Sequence, residues 1–582
     1  MLVAFGEFLQ QHGLLERLRR VPIAQKTHDF VPQAKLIEFL AGIMSGIEHL
    51  QDLNHGPRPL AQDTTVARAW GLEGFAHYTT VGRTLTACDD QTVTAAEAAI
   101  NAFSRPFIET TVHELLRRGQ RLVYDFDLMG QAVSSTSTTY PDAAFGWMND
   151  QGRLGYQLAR VSLTPPAGAR IWLAGFHHPG DTVSSACLQE LVHAAEAQTG
   201  VRPHRRPDLV GQRIEAQRTV IARTRRLANE QQAKLQRLQQ TRTTLIGKRY
   251  HAEQVLNGPI SSGKQARLQA QADSWQTRLP RLGEQIAQTQ RVLAAHQARL
   301  AEQEAELVNL HTWQAQLAAD NAANPNAPEI DARMDAGFAS GENLTWLLEM
   351  GYAPNTKAPN GRTTSALRAH LPRGAAWEQV GDNAEMVLIG EHQLHGCPYP
   401  LTVAVERFKL GRTFKYATLV RVGSAPKLAE WFAHYNARQT IEAGNKDRHA
   451  PLRGMNGTFF VQHLMSRSPA GIRLQVLFSG LAANVVRWCQ PWLADCAAAP
   501  TPTLTRTLGS PKALVRVAAN SAALVQQTDD GTSVLFGPRS ALPGAAFTLH
   551  GVPAIQLPLG FQRPCKIASD TTKPALNAHY LR

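Results

Sequence analysis

Three acidic residues in this sequence stand where they could do chemistry. Asp127 closes the apolar run Leu122-Val123-Tyr124-Asp125-Phe126. Asp335 closes a second run, Ile330-Asp331-Ala332-Arg333-Met334, and is followed by Ala336-Gly337-Phe338. Glu442 ends the helical pattern Tyr435-Asn436-Ala437-Arg438-Gln439-Thr440-Ile441. A carboxylate at the end of a buried strand is costly unless it is paired, hydrogen-bonded or bound to a cation. Three that converge would hold hard divalent cations, and oxygen ligands suit Mg²⁺ or Mn²⁺ rather than zinc. Two such ions about 3.5–4 Å apart activate a water or a 3′-hydroxyl and stabilise the leaving oxygen in phosphodiester cleavage. Each residue alone has a blander reading. A strand-end Asp is commonly a turn or cap residue, and Arg438 with Glu442 has the spacing of an i,i+4 surface ion pair worth a few tenths of a kcal/mol. The joint pattern outweighs the separate ones. Asp125 shares a strand face with Asp127 through the period of 2 and is its rival. Asp127, the later residue at the strand end, is preferred.

The elements that must position these groups are legible in outline. Residues 1–118 read as helical, with Leu36, Phe39, Leu40, Ile43, Met44 and Ile47 recurring at helical spacing. Two short helices around Gly71 and Gly74, the second capped by Thr79 or Thr80, could form a helix-turn-helix with Arg83 near the start of its second helix. An ordinary packed helical pair is the alternative. Strand candidates follow at 121–127, 143–147, 155–163 and 170–175, then a helix at 182–198. From 210 to 320 the chain turns rich in Gln, Arg, Ala and Leu, with partial heptads through Ile221, Ala228, Leu235, Leu238 and Leu245 and again from Leu268 to Leu310. This predicts an antiparallel helical hairpin turning near residues 258–263, with arms of roughly 65 Å and a kink at Pro280. Its first arm is basic (Arg218, Arg223, Arg225, Arg226, Lys234) and could lie along DNA, pair two protomers, or simply be a solvated face. A helix is expected at 342–350, β structure over 376–421, helices at 426–445 and 458–490, and short strands in the tail.

Composition bounds the rest. At 582 residues and 43% apolar, the chain has material for several cores, which excludes full disorder. A net charge of +13 and an isoelectric point near 9.6 favour a polyanionic partner, nucleic acid before membrane. The six cysteines form no C-x-x-C pair, which argues for free thiols in a reducing compartment. The start of the chain lacks a signal-peptide pattern, and Asn484 and Arg487 interrupt the longest late apolar stretch, so a cytoplasmic protein without a membrane span is expected. Walker A, Gly-x-Gly-x-x-Gly, His-Glu-x-x-His and Gly-x-Ser-x-Gly patterns are missing. His177 and His178 form a loop pair without a third ligand and read as structural.

Three stretches together resemble the DDE transposases of bacterial insertion sequences, in the class with a Tyr-Arg-Glu-Lys signature. They are Leu122–Asp127, the block Asp331–Phe338 with its Arg333-x-Asp335-x-Gly337-Phe338 pattern, and Tyr435-x2-Arg438-x3-Glu442. The family usually places Thr soon after its first Asp, where this chain has Leu128 and Met129. Its Lys corresponds to His449, with Lys446 and Arg448 nearby. The resemblance implies a mixed α/β chain with an RNase H-like catalytic core in three parts (119–209, 323–352 and 426–495). It also implies a helical DNA-binding domain over 1–118. The hairpin (210–322) and a β-rich segment (353–425) would be insertions, and 496–582 a C-terminal appendage. By the same resemblance Asp127, Asp335 and Glu442 are the catalytic, metal-binding triad for two ions, Mg²⁺ or Mn²⁺. Tyr435, Arg438, Lys446, Arg448 and His449 would contact DNA near the scissile phosphate, with Arg83, Arg225 and Arg226 as further DNA contacts. The implied activity is binding of terminal inverted repeats, cleavage of double-stranded DNA ends and joining of the 3′-hydroxyl to target DNA by a dimer or larger synaptic complex. The alternatives are a catalytically inactive DNA-binding descendant and a non-transposing RNase H-like nuclease.

Overall fold

The computed structural model describes residues 1–438 and 464–549, apart from positions 28, 57–58, 137, 149–150, 167–169, 360, 373, 425–426, 500, 509–513, 515–520, 529–530 and 541. The chain forms two compact units. One comprises Met1–Pro203, Ala327–Leu347 and Tyr352–Arg582, and the other His204–Asn326 with Leu348–Gly351.

The first unit is mixed α/β and built on a ten-stranded sheet. Its strands are β1 (Leu122–Ala132), β2 (Ala144–Met148), β3 (Gln151–Leu163), β4 (Ile171–Pro179), β5 (Ile330–Arg333), β6 (Ala353–Lys357), β7 (Glu378–Gly381), β8 (Ala384–Gln393), β9 (Pro400–Leu410) and β10 (Thr413–Arg421). The order is β2-β3-β1-β5-β6-β10-β9-β8-β7, with β4 also paired to β3. β3 runs antiparallel to both of its neighbours β1 and β4, whereas β1, β5 and β6 run parallel. Parallel neighbours need a crossover, and the helices Ser184–Thr199 and Gly341–Glu349 lie on the two crossovers. The strand Ala353–Lys357 therefore belongs to the parallel part, and the β-rich segment expected from residue 353 starts only after it. The strand is hidden in the sequence because its residues, Ala-Pro-Asn-Thr-Lys, read as a turn and offer no apolar run.

Both faces of the sheet are covered. On one, Tyr124 of β1 shares a 2.8 Å hydrogen bond with Thr199, and Phe126 packs beside Phe338. On the other, Pro469–Asp495 lies along β4: Val476 packs on Leu158, and Asn484 accepts from the backbone N–H of Trp172 and donates to its carbonyl, both at 2.8 Å. The polar residue that interrupts this apolar helix thus clamps it to a strand. The helix is long and apolar enough to cross a membrane, but 83% of its apolar window is buried in protein, which is the pattern of a core helix. Ser468 starts it by accepting from the N–H of Gly471, with Pro469 in the first turn.

The helices of residues 2–117 form one hydrophobic core with this helix, through Phe39 against Phe478 and Phe107 stacked on Trp488. The tail strands Ala523–Thr528, Gly531–Phe536 and Ala546–Leu549 bury Val534, Phe536, Phe547 and Leu549 in the same core. The described tail is thus β, as expected, but it is an integral wall rather than an appendage. Short runs such as SVLFG hold too few residues to reveal what they pack against. The helices Thr64–Ala69 and Tyr78–Ala87 exist, but the second is capped by His77, whose Nδ1 accepts from the Thr79 N–H. Thr80 instead bonds back to the His77 carbonyl.

The second unit is the hairpin. Its helices, Pro207–Leu256 and Ser262–Ala322, have 50 and 61 residues, about 75 and 90 Å at 1.5 Å per residue. The second continues through Pro280 without a break. Ala228, Leu235, Ile286 and Leu293 interlock between the arms. At its base the buried Glu349 carboxylate accepts from Arg213 and from the Trp313 indole, each at 2.8 Å. Glu349→Ala leaves the Arg213 and Trp313 donors without this acceptor. The expected result is a loss of about 3 kcal/mol of local stability, read as faster hydrogen exchange in residues 207–215 and 310–320. Unchanged protection there would show that the carboxylate does not hold the base.

Candidate active site

The register of parallel strands sets the geometry. Asp125 of β1 stands opposite Arg333 of β5, and Asp127 and Asp335 each follow two residues beyond that pair, close enough for the Asp127 charge to act on Asp335. Asp335 sits where β5 has ended. Its Oδ1 accepts from the Gly337 N–H at 2.9 Å and caps the turn Ala336–Phe338. A Cβ at Gly337 would lie 2.7 Å from the Ser184 hydroxyl oxygen, so a larger residue there would make that side chain turn away. Burial raises the Asp335 carboxyl above the usual carboxylate range, the Asp127 charge adds to the rise, and Arg438 opposes it. The two acids therefore sense each other.

Asp127 and Asp125 share a face but have different surroundings. The Asp125 side chain has 0% exposure. It accepts from Arg333 at 2.5 and 2.8 Å, from Arg170 at 2.9 Å and from the Thr164 hydroxyl at 2.5 Å. Burial alone would push its carboxyl up, but the two guanidiniums and the hydroxyl overcome this and hold it below the usual range. Every side of Asp125 is committed to structure. Asp127, 11% exposed, is held at Oδ2 by Arg160, directly opposite on β3, with Nε at 3.0 Å. Its Oδ1 faces the Arg438 guanidinium at 3.5 Å.

The helix Leu428–Asn436 brings the other groups. Leu428, Trp431 and Tyr435 pack on Met386, Ala404 and Leu419 of the sheet, and the chain emerges at Arg438. Tyr435 is buried; burial pushes its hydroxyl up to about 12, the Asp335 and Glu406 charges add to this, and Arg438 opposes it. The phenol keeps its proton at neutral pH. Lys357 lies over the Tyr435 ring, 5.4 Å from its centroid, and pairs with Glu406 at 2.5 Å.

The structure thus brings Asp127, Asp335, Tyr435 and Arg438 together. Glu442, Lys446, Arg448 and His449 lie outside the described residues. Among the described residues no three His, Cys, Asp or Glu side chains are grouped to hold a metal. The two facing carboxylates, with the raised Asp335, are hard oxygen donors of the kind that Mg²⁺ or Mn²⁺ takes. Arg83 is exposed on Tyr78–Ala87. Arg225 and Arg226 are exposed on the hairpin unit, where they pair with Glu304 and Glu230. Sequence reasoning missed Arg160, Lys357 and Glu406. Arg160 is one of the alternating residues of a strand, and only register shows that it meets Asp127. His177 and His178 lie on β4 rather than in a loop; His177 bonds Gln131 and stacks on Tyr156, and His178 pairs with Glu190 at 3.2 Å. In comparisons with known proteins the chain matches no family model and no curated sequence.

Proposed function

We propose that this chain is a DNA transposase of the DDE kind, acting in the cytoplasm on the double-stranded ends of its own element as a dimer or larger complex. The observation that carries the reading is the pair Asp127, on β1, and Asp335, just past the end of the neighbouring parallel strand β5, with Arg438 and Tyr435 beside them. Strand order β4-β3-β1-β5-β6, three strands antiparallel and the last two parallel to β1, supports an RNase H-like core. The residues present fit two divalent cations in part, with Glu442 as the third donor from the motif. When bound, Mg²⁺ or Mn²⁺ would supply charge stabilisation at the phosphoryl oxygens and an acidified water or 3′-hydroxyl.

The chain's own groups have separable roles. Arg160 fixes the Asp127 carboxylate through its fork, so the strand-end acid does not swing. Arg438 is placed to neutralise a phosphate oxygen bidentately. The protonated Tyr435 hydroxyl is placed to donate to a neighbouring phosphate. The net positive charge draws DNA to the chain with a salt-dependent affinity.

The test uses full-length protein and a plasmid carrying the coding sequence with its native flanking DNA. Nicks at the element border and joined products are expected with Mg²⁺ or Mn²⁺, none with EDTA, and none from Asp335→Asn. Border binding without nicking in either metal would instead identify the inactive DNA-binding descendant, a reading that the Arg160 and Arg438 charges against Asp127 would then explain. Metal-dependent nicking without joining would identify a nuclease.

A further inference from the structure

The most exposed large apolar side chain among the described residues is Trp147, at 72%, and Phe145, two residues before it, is 64% exposed. Both are on β2, the outermost strand on its side of the sheet. Paired residues of antiparallel strands point to the same face. Phe145 pairs with Leu154 and Trp147 with Gly152, while Asp127 pairs with Arg160 of the same strand, in an unbroken register. Because Gly152, Leu154 and Arg160 alternate in phase, Phe145 and Trp147 rise from the face that carries Asp127. The opposite face of β2 is packed. A Cβ on Gly146 would lie 1.6 Å from the Gly180 carbonyl oxygen, and Gln157 donates to the Trp147 and Gly180 carbonyls at 3.3 and 3.1 Å. The aromatics are therefore held outward by a tightly fitted backbone.

We propose that Phe145 and Trp147 stack on unpaired or unstacked bases of the DNA strand leaving the Asp127–Asp335 site. The inference rests on the nucleic-acid reading of that site. Leu154 and Gly152 lie six and eight residues along β3 from Arg160. At about 3.3 Å per residue this is roughly 20–27 Å. At about 3.4 Å per nucleotide the same span is some six to eight nucleotides from the reacting phosphate. Aromatic rings hold bases of any sequence, so the contact tracks position rather than sequence. The overall charge of +13 favours a polyanion over an apolar protein partner.

The test measures fluorescence anisotropy of full-length protein with two labelled probes, an intact 40-base-pair duplex and the same duplex with an eight-nucleotide single-stranded gap. Both side chains are exposed, so the Phe145→Ala/Trp147→Ala double variant should keep the wild-type circular dichroism melt. Its affinity for the gapped probe is expected to fall about 10- to 100-fold and for the intact duplex less than about threefold. Trp147→Tyr should retain most of the gap preference. 2-Aminopurine placed six to eight nucleotides from a cleaved border should change fluorescence with wild type and not with the double variant. Equal gap binding by both proteins, or no gap binding by either, overturns the inference, as does a wild-type dimer that the double substitution merely converts to monomer. Loss of nicking in wild type with the gap preference intact would sink the proposed activity and leave this inference standing; nicking with unchanged gap binding would do the reverse.

Discussion

Asp125→Asn and Asp127→Asn are expected to fail in different ways. Asp125→Asn should cost about 3–5 kcal/mol of stability, because an amide keeps one acceptor and loses the charge that Arg333 and Arg170 share in a fully buried cluster. Its expected signature is a large fall in denaturation midpoint and poor recovery of folded protein. Asp127→Asn keeps an acceptor for Arg160 and removes the repulsion with Asp335, which offsets part of the charge that Arg160 loses, so its melting temperature should fall clearly less than that of Asp125→Asn. Its metal-dependent nicking should drop roughly a thousandfold. Chemical denaturation and the border-nicking assay on both variants decide the matter. If Asp125→Asn were stable and inactive while Asp127→Asn were stable and active, the roles assigned to the two residues would be exchanged.

The sequence could not make that distinction, and the reason is physical. Period 2 places both acids on one face, but what surrounds each depends on the partners that other strands bring. Those partners come from far away in the chain: Arg333 lies 208 residues beyond Asp125. Asp335, by contrast, was legible as a candidate, because a short apolar run ending in Asp-x-Gly states both a strand end and a capped turn. The large helices were legible from composition and heptads, and so was the β-rich character of 376–421. The strand Ala353–Lys357 was not, because Pro354-Asn355 reads as a turn and the run holds no large apolar residue. Nor was the union of the tail strands with the N-terminal helices. That contact joins residues more than 400 positions apart and is encoded in shape rather than in period.

The fold also explains why cationic groups crowd the candidate site. The carboxylates of Asp127 and Asp335 repel, and burial makes the repulsion more costly. Arg160 and Arg438 offset it within the protein itself. On the proposed reading a phosphodiester approaching Asp127 and Asp335 would meet further negative charge, and the same guanidiniums that serve the resting fold would then serve the substrate. In this arrangement Arg160 acts as a positioning residue for Asp127. Arg438, at the end of the helix that carries Tyr435, is the group nearest to a substrate-facing role.

Replacing Glu38 with Gln should make the protein more stable at pH 8 and leave it unchanged near pH 4.5. Glu38 lies in the helix Pro32–Ser45 with 1% exposure. One carboxyl oxygen accepts from the Ala76 N–H at 2.7 Å, and the other has no hydrogen-bond partner among the described residues. Burial raises its pKa from 4.5 to about 8, against the opposing pull of the Ala76 N–H and the Lys35 charge. The folded chain therefore holds a proton that the unfolded chain releases above pH 4.5. A raised acid contributes fully below the unfolded value, and its contribution is lost as pH climbs from about 4.5 through about 8. At pH 7, roughly 2.5 pH units above the unfolded value, the penalty is about 3 kcal/mol. Glutamine keeps the acceptor for Ala76, carries no charge in either state and escapes this penalty, and its amide donor takes the place of the O–H of the protonated acid. Thermal melts of both proteins from pH 4.5 to 8.5 should converge at the acid end and separate by several degrees at the alkaline end, with Glu38→Gln the higher. Parallel pH profiles would show that Glu38 is ionised in the folded core, and a lower melt for the variant at every pH would show that the second oxygen has a partner that glutamine cannot satisfy.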